Sequence, residues 1–133
     1  MASTIGGMVI NTAGVTIAHG MEHPASGLKD IVHGQGLAAL TPIVIEASYK
    51  GNEEKFAKIA KIFGGESAAD CADKIRGLLK SVDLECKLSD LGIAAEDIPW
   101  MAENCMKVSA ASIANNPVVF TQEEIAELYR KAL

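Results

Sequence analysis

No cluster of lysine and arginine occurs along this sequence, and its 12 basic residues are outnumbered by 17 acidic ones, for a net charge of −5. Nothing in it offers an electrostatic footprint for nucleic acid or an anionic membrane surface, so neither is expected as a partner. Aromatic residues make up 5% of the chain, and no run alternates apolar with polar residues between turn signals, which argues against a β-sheet framework. The three cysteines, Cys71, Cys86 and Cys105, form an odd set without CxxC spacing. That excludes a disulfide scaffold and a cysteine zinc site, and points to reduced thiols in a cytoplasmic setting. Repeats and low-complexity tracts are also missing. What is present is a 133-residue chain with 49% hydrophobic residues, enough for one domain with a core of its own.

A second absence is local. Residues 1–18, MASTIGGMVINTAGVTIA, contain no ionisable side chain. They lack the basic start of a signal peptide, and Asn11, Thr12 and Thr16 interrupt any run long enough to span a membrane. The remaining reading is a helix covered on most sides by protein, with Gly6, Gly7, Ala13 and Gly14 permitting close approach. Because domains normally begin in polar surface sequence, residues 1–133 are expected to be a single all-helical domain belonging to a longer protein.

Helical periodicity recurs after this opening segment. His33 to Ser48 reads as an apolar helix that Pro42 would kink. Asn52 caps a helix bearing Phe56, Ile59, Ala60 and Phe63, which Gly64-Gly65 stops. Ser67 starts another, with Cys71, Ile75, Leu78, Leu79 and Val82 on one face. Ile98, Met101, Ala102, Cys105 and Val108 mark a fifth, broken by Asn115-Asn116-Pro117. Thr121 with Glu124 forms a capping box for the last, whose Ile125, Leu128 and Tyr129 face inward. The expected fold is an all-α bundle of about six helices. Trp100, beside Pro99, reads as a packing anchor.

All three histidines fall within fifteen residues, at 19, 23 and 33. Imidazole suits divalent iron and zinc, provided that fixed backbone brings the rings together. His19 and His23 share a helix face if the opening helix runs through them. Pro24 would end that helix near His23, leaving His19 in its last turn and His33 at the start of the next, so that a helix end meets a helix start. The run His19-Gly-Met-Glu22-His23 also fits the HxxEH pattern of zinc peptidases, but Gly20 and Pro24 weaken the uninterrupted helix that pattern needs.

The stretch GVTIAHGMEHPASGLKDIVHGQGLAALTP, residues 14–42, resembles the C-terminal domain of the iron-containing (group III) alcohol dehydrogenases. The specific part is His19 and His33, fourteen apart, with His23-Pro24 and His33-Gly34. Ser89-Asp90-Leu91-Gly92-Ile93, Glu96-Asp97-Ile98-Pro99, Asn115-Asn116-Pro117 and the final helix carry the similarity to the end.

The resemblance implies an all-helical domain that follows a dinucleotide-binding domain, with the active site in the cleft between them. It implies a divalent metal, iron or zinc, with His19 and His33 as ligands, and His23 near the metal and nicotinamide as a catalytic, proton-relaying residue. In such enzymes the metal polarises the oxygen of a small alcohol or aldehyde while hydride is exchanged with NAD or NADP. The family's other two ligands, an Asp and a His spaced DxxxH, have no match in this sequence. Gly34-Gln-Gly36 completes no GxGxxG and follows no strand, so no cofactor-binding residue is assigned here; these glycines are expected to permit tight packing beside the metal. The chain alone is therefore expected to be inactive, to lack its N-terminal dinucleotide-binding partner domain, and to self-associate as a homo-oligomer. The alternatives are a non-catalytic helical binding or assembly module and an HxxEH zinc peptidase.

Overall fold

Local start and stop signals cut the chain into eight α-helices: α1 (Ala2–Ala13), α2 (Ile17–Lys29), α3 (His33–Ser48), α4 (Glu53–Ile62), α5 (Cys71–Ser81), α6 (Ile98–Val108), α7 (Ala110–Ala114) and α8 (Gln122–Ala132), with a longer connection over residues 82–97 that contains two 3-10 turns, Ser89–Leu91 and Ala95–Asp97. This computed structural model describes residues 1–133, the side chain of Ala2 apart, and no strand occurs among the described residues. Caps are satisfied where the sequence marks them. Asn52 Oδ1 accepts from the Lys55 N–H at 3.1 Å, and Thr121 and Glu124 close their box reciprocally at the start of α8.

Two of the six expected helices are divided, which gives eight. Gly14 adopts a left-handed φ of 71°, its N–H closing on Ile10 O, and Thr16 is extended, so the opening helix ends and a new one begins at Ile17. The fifth is interrupted at Ser109, between α6 and α7.

Helix α2 lies at the centre, packed on α3, α6 and α7. Its fully buried Ile17, Met21 and Ala25 meet Leu40 and Val44 from α3, Ile98, Met101 and Cys105 from α6, and Ile125 and Tyr129 from α8 in one core. Each large side chain so buried stabilises the fold by roughly 1.5–3 kcal/mol. The Tyr129 hydroxyl donates to the Met21 carbonyl at 2.5 Å, joining the last helix to the central one. Lys29 Nζ meets Asp97 Oδ2 at 3.3 Å and ties the end of α2 to the turn before α6.

The expected end of this helix near His23 is wrong: α2 continues through Pro24 to Lys29. Proline has no N–H to give the Gly20 carbonyl four residues back. The buried Ser109 hydroxyl supplies that bond at 3.3 Å, and it can approach because Gly20 has no side chain; a Cβ there would stand 2.9 Å from Ser109 Cβ. Pro42 is likewise accommodated inside an unbroken α3.

Among the described residues, Ile5, Met8, Val9 and Ile10 of α1 are exposed, an apolar surface in the uncharged opening segment. Asn115 Nδ2 fastens its end by donating to the carbonyls of Ala13 and Val15. Leu78, Val82 and Val108 point into solvent, and Trp100 is 46% exposed rather than anchored in the core.

Candidate metal centre

The divided opening helix places the histidines differently from the expected arrangement. His19 sits in the first turn of α2 rather than its last, His23 one turn further on, and His33 is the first residue of α3. Residues 30–32 make the reversal between the two helices, with Asp30 in the left-handed region at φ 53°. Two successive helices thus bring all three rings together, His19 and His33 from helix starts and His23 from inside α2.

Ring centroids are 5.3 Å apart for His19–His33, 6.0 Å for His23–His33 and 6.4 Å for His19–His23. Two imidazoles on one tetrahedral ion, with metal–nitrogen distances near 2.0–2.1 Å, have centroids roughly 5 Å apart. His19 and His33 meet that spacing best. No group of three or more His, Cys, Asp or Glu residues is arranged to hold a metal among the described residues. His19 is half-buried, and its basicity is held below the ordinary imidazole value, first by burial and then by the neighbouring His33 and His23 rings, against a small opposing pull from Glu22. The neutral ring, the form that coordinates metal, is therefore favoured there. His23 and His33 are exposed.

Glu22 is a component that the spacing of the histidines did not reveal. Its side chain is fully buried, one carboxylate oxygen 2.5 Å from His33 Nδ1 and the other accepting from the Ser26 hydroxyl. Ser26 also stands 3.0 Å from the Ile31 carbonyl. The sequence did contain a signal: with Ala18, Met21 and Ala25, Glu22 falls on the apolar face of α2, where an acid requires a partner. The same observation weakens the HxxEH reading. A water-activating glutamate must reach open space beside a metal held by His19 and His23, whereas Glu22 is enclosed, and that pair of rings is the most widely separated of the three.

The glycines beside the site divide. A Cβ on Gly34 would meet nothing within 4 Å, while one on Gly36 would lie 2.8 Å from Glu22 Cγ and 3.0 Å from Oε1. Gly36 therefore provides the close packing expected of the pair, and Gly34 does not.

Comparison with known proteins places these features in context. The family profile described as Fe-containing alcohol dehydrogenase family, C-terminal, matches residues 1–133. The 1,3-propanediol dehydrogenase of Klebsiella pneumoniae is 37% identical over 139 residues, covering 98% of this chain and 35% of that protein. The long-chain primary alcohol dehydrogenase AdhA of Thermoanaerobacter ethanolicus is 31% identical, over 98% of this chain and 35% of its own length. A crystal structure of 1,3-propanediol oxidoreductase superposes with a TM-score of 0.88 at 36% identity, over 99% of this chain and 36% of the other. The chain spans about a third of the length of the relatives it matches.

Proposed function

The chain belongs to the iron-containing alcohol dehydrogenase family, whose C-terminal domain it matches throughout, and from that premise we propose that it supplies His19 and His33 as two ligands of a catalytic divalent metal in an NAD(P)-linked alcohol dehydrogenase. The observation that carries this reading is the approach of the two rings to 5.3 Å from successive helices. The donor set fits iron or zinc: imidazole nitrogens suit both, and a half-buried, weakly basic His19 remains neutral and available. On this reading the remaining ligands and the dinucleotide site come from outside residues 1–133. A bound divalent ion there supplies Lewis acidity toward the oxygen of a small alcohol or aldehyde.

The chain's own contribution is placement. Helix α2 holds His19 against the core, the reversal at 30–32 returns His33 to it, and Glu22 restrains the His33 ring. His23, exposed 6.0 Å from His33, is the group positioned to exchange the substrate proton with water through an imidazole nitrogen.

The test uses protein produced from the complete reading frame, loaded with Fe(II) or Zn(II) and assayed for NAD- and NADP-linked oxidation of small alcohols, including 1,3-propanediol. His19→Ala and His33→Ala are expected to lose bound metal and turnover together. His23→Ala is expected to keep the metal and lose rate. Full metal content and turnover in His19→Ala and His33→Ala would overturn the proposal.

A further inference from the structure

A fully buried carboxylate needs a reason, because removing its charge from water is costly unless the group is paired and hydrogen-bonded. In α2 no Lys or Arg pairs with Glu22 among the described ion pairs; its partner is His33. A carboxylate has acceptor oxygens only, so the 2.5 Å contact requires the proton on His33 Nδ1 and leaves the lone pair on Nε2. The second oxygen is occupied by Ser26, one helical turn along. The carboxylate thus cannot turn away from His33 without losing both bonds. Gly36, in the first turn of α3, leaves the volume that the Glu22 Cγ and Oε1 fill.

We propose that Glu22 is the positioning residue of the metal centre: seated in the space left by Gly36 and held by Ser26, it fixes His33 as an Nε2 donor and balances with its negative charge the cation that His33 faces. This rests on the metal reading above and extends it to a residue that touches neither metal nor substrate. A carboxylate behind a ligating imidazole fixes the tautomer and ring orientation and raises the ligand's basicity, and loss of such a partner weakens metal binding about 10- to 100-fold.

The experiment follows Co2+ binding to protein produced from the complete reading frame by its visible absorption, with the tautomer of His33 read from 15N chemical shifts of the metal-free protein. Expected for the wild-type protein is a His33 ring protonated at Nδ1 and bare at Nε2. Expected for Glu22→Gln is an unchanged helical circular dichroism spectrum, a mixed or reversed His33 tautomer, and Co2+ affinity weaker by about 10- to 100-fold. Should Glu22→Gln fail to fold, the wild-type 15N spectrum decides, and an Nε2-protonated His33 overturns the proposal. Unchanged affinity and tautomer in Glu22→Gln, with binding still lost in His33→Ala, would overturn the positioning role alone. Cobalt binding unaffected in His19→Ala and His33→Ala would remove the metal reading and the proposal with it.

Discussion

The Ser109 hydroxyl donates to the Gly20 carbonyl, the acceptor that Pro24 leaves without an N–H. Two residues 89 positions apart therefore complete a helix that carries two of the three histidines. Ser109→Ala should destabilise the protein by about 1–3 kcal/mol, the range for a buried polar group left unpaired. In a Pro24→Ala background the backbone supplies the bond again, and the same substitution should cost markedly less. Urea unfolding of the four proteins of this cycle measures the difference; equal costs in both backgrounds would show that Ser109 acts otherwise.

Gly36→Ala brings a methyl group to 2.8 Å from Glu22 Cγ, and the enclosed Glu22 has no solvent route by which to yield. A stability loss of about 1–3 kcal/mol is expected, as for overpacking elsewhere. Gly34→Ala, with open space around it, should be neutral or slightly stabilising by comparison. Thermal unfolding of the two variants side by side checks the contrast.

The cysteines should label in a defined order. Burial raises the pKa of all three thiols, that of Cys105 to about 11, and Cys71 and Cys105 are wholly enclosed while Cys86 is half-buried. Because the thiolate is the reactive form, iodoacetamide at pH 8 should modify Cys86 first and Cys105 only on unfolding. Mass spectrometry of timed samples reads this order directly.

Acid should unfold the protein through its helix-start carboxylates. Asp70 is held below the ordinary carboxylate range by the N–H groups of Glu66 and Ser67, Asp97 by Ala94 N–H and then Lys29, and Glu124 by Thr121. Groups whose folded values are depressed bind fewer protons than in the unfolded chain, so their stabilisation is present above the ordinary range, about pH 4, and is lost as pH falls through the folded values. The melting temperature should decline below about pH 4, less steeply in Asp97→Asn than in the wild-type protein. Circular dichroism melts across this range provide the check.

What the sequence made legible were features written locally. The bounds His33 to Ser48, the Asn52 cap and the Thr121–Glu124 box are short-range signals, and all three stand in the structure. The path of α2 through Pro24 was not legible, because the group that makes it tolerable, Ser109, lies on another helix. The break at Gly14 was hidden by the uniform polarity of the first eighteen residues, although the glycine that makes it was in view. At the site, clustering of His19, His23 and His33 followed from spacing. The work of Glu22 did not, since its meaning depends on Gly36 and on the reversal at Asp30.

The three imidazoles and Glu22 occupy fifteen consecutive residues, yet the surfaces beneath them come from far along the chain: Ser109 under Gly20, Tyr129 under Met21. Grafting residues 16–36 into another helical scaffold would carry every donor atom and none of this underlay. To transplant the centre with its geometry, an engineer would have to move the serine and the tyrosine as well, together with the backbone that presents them.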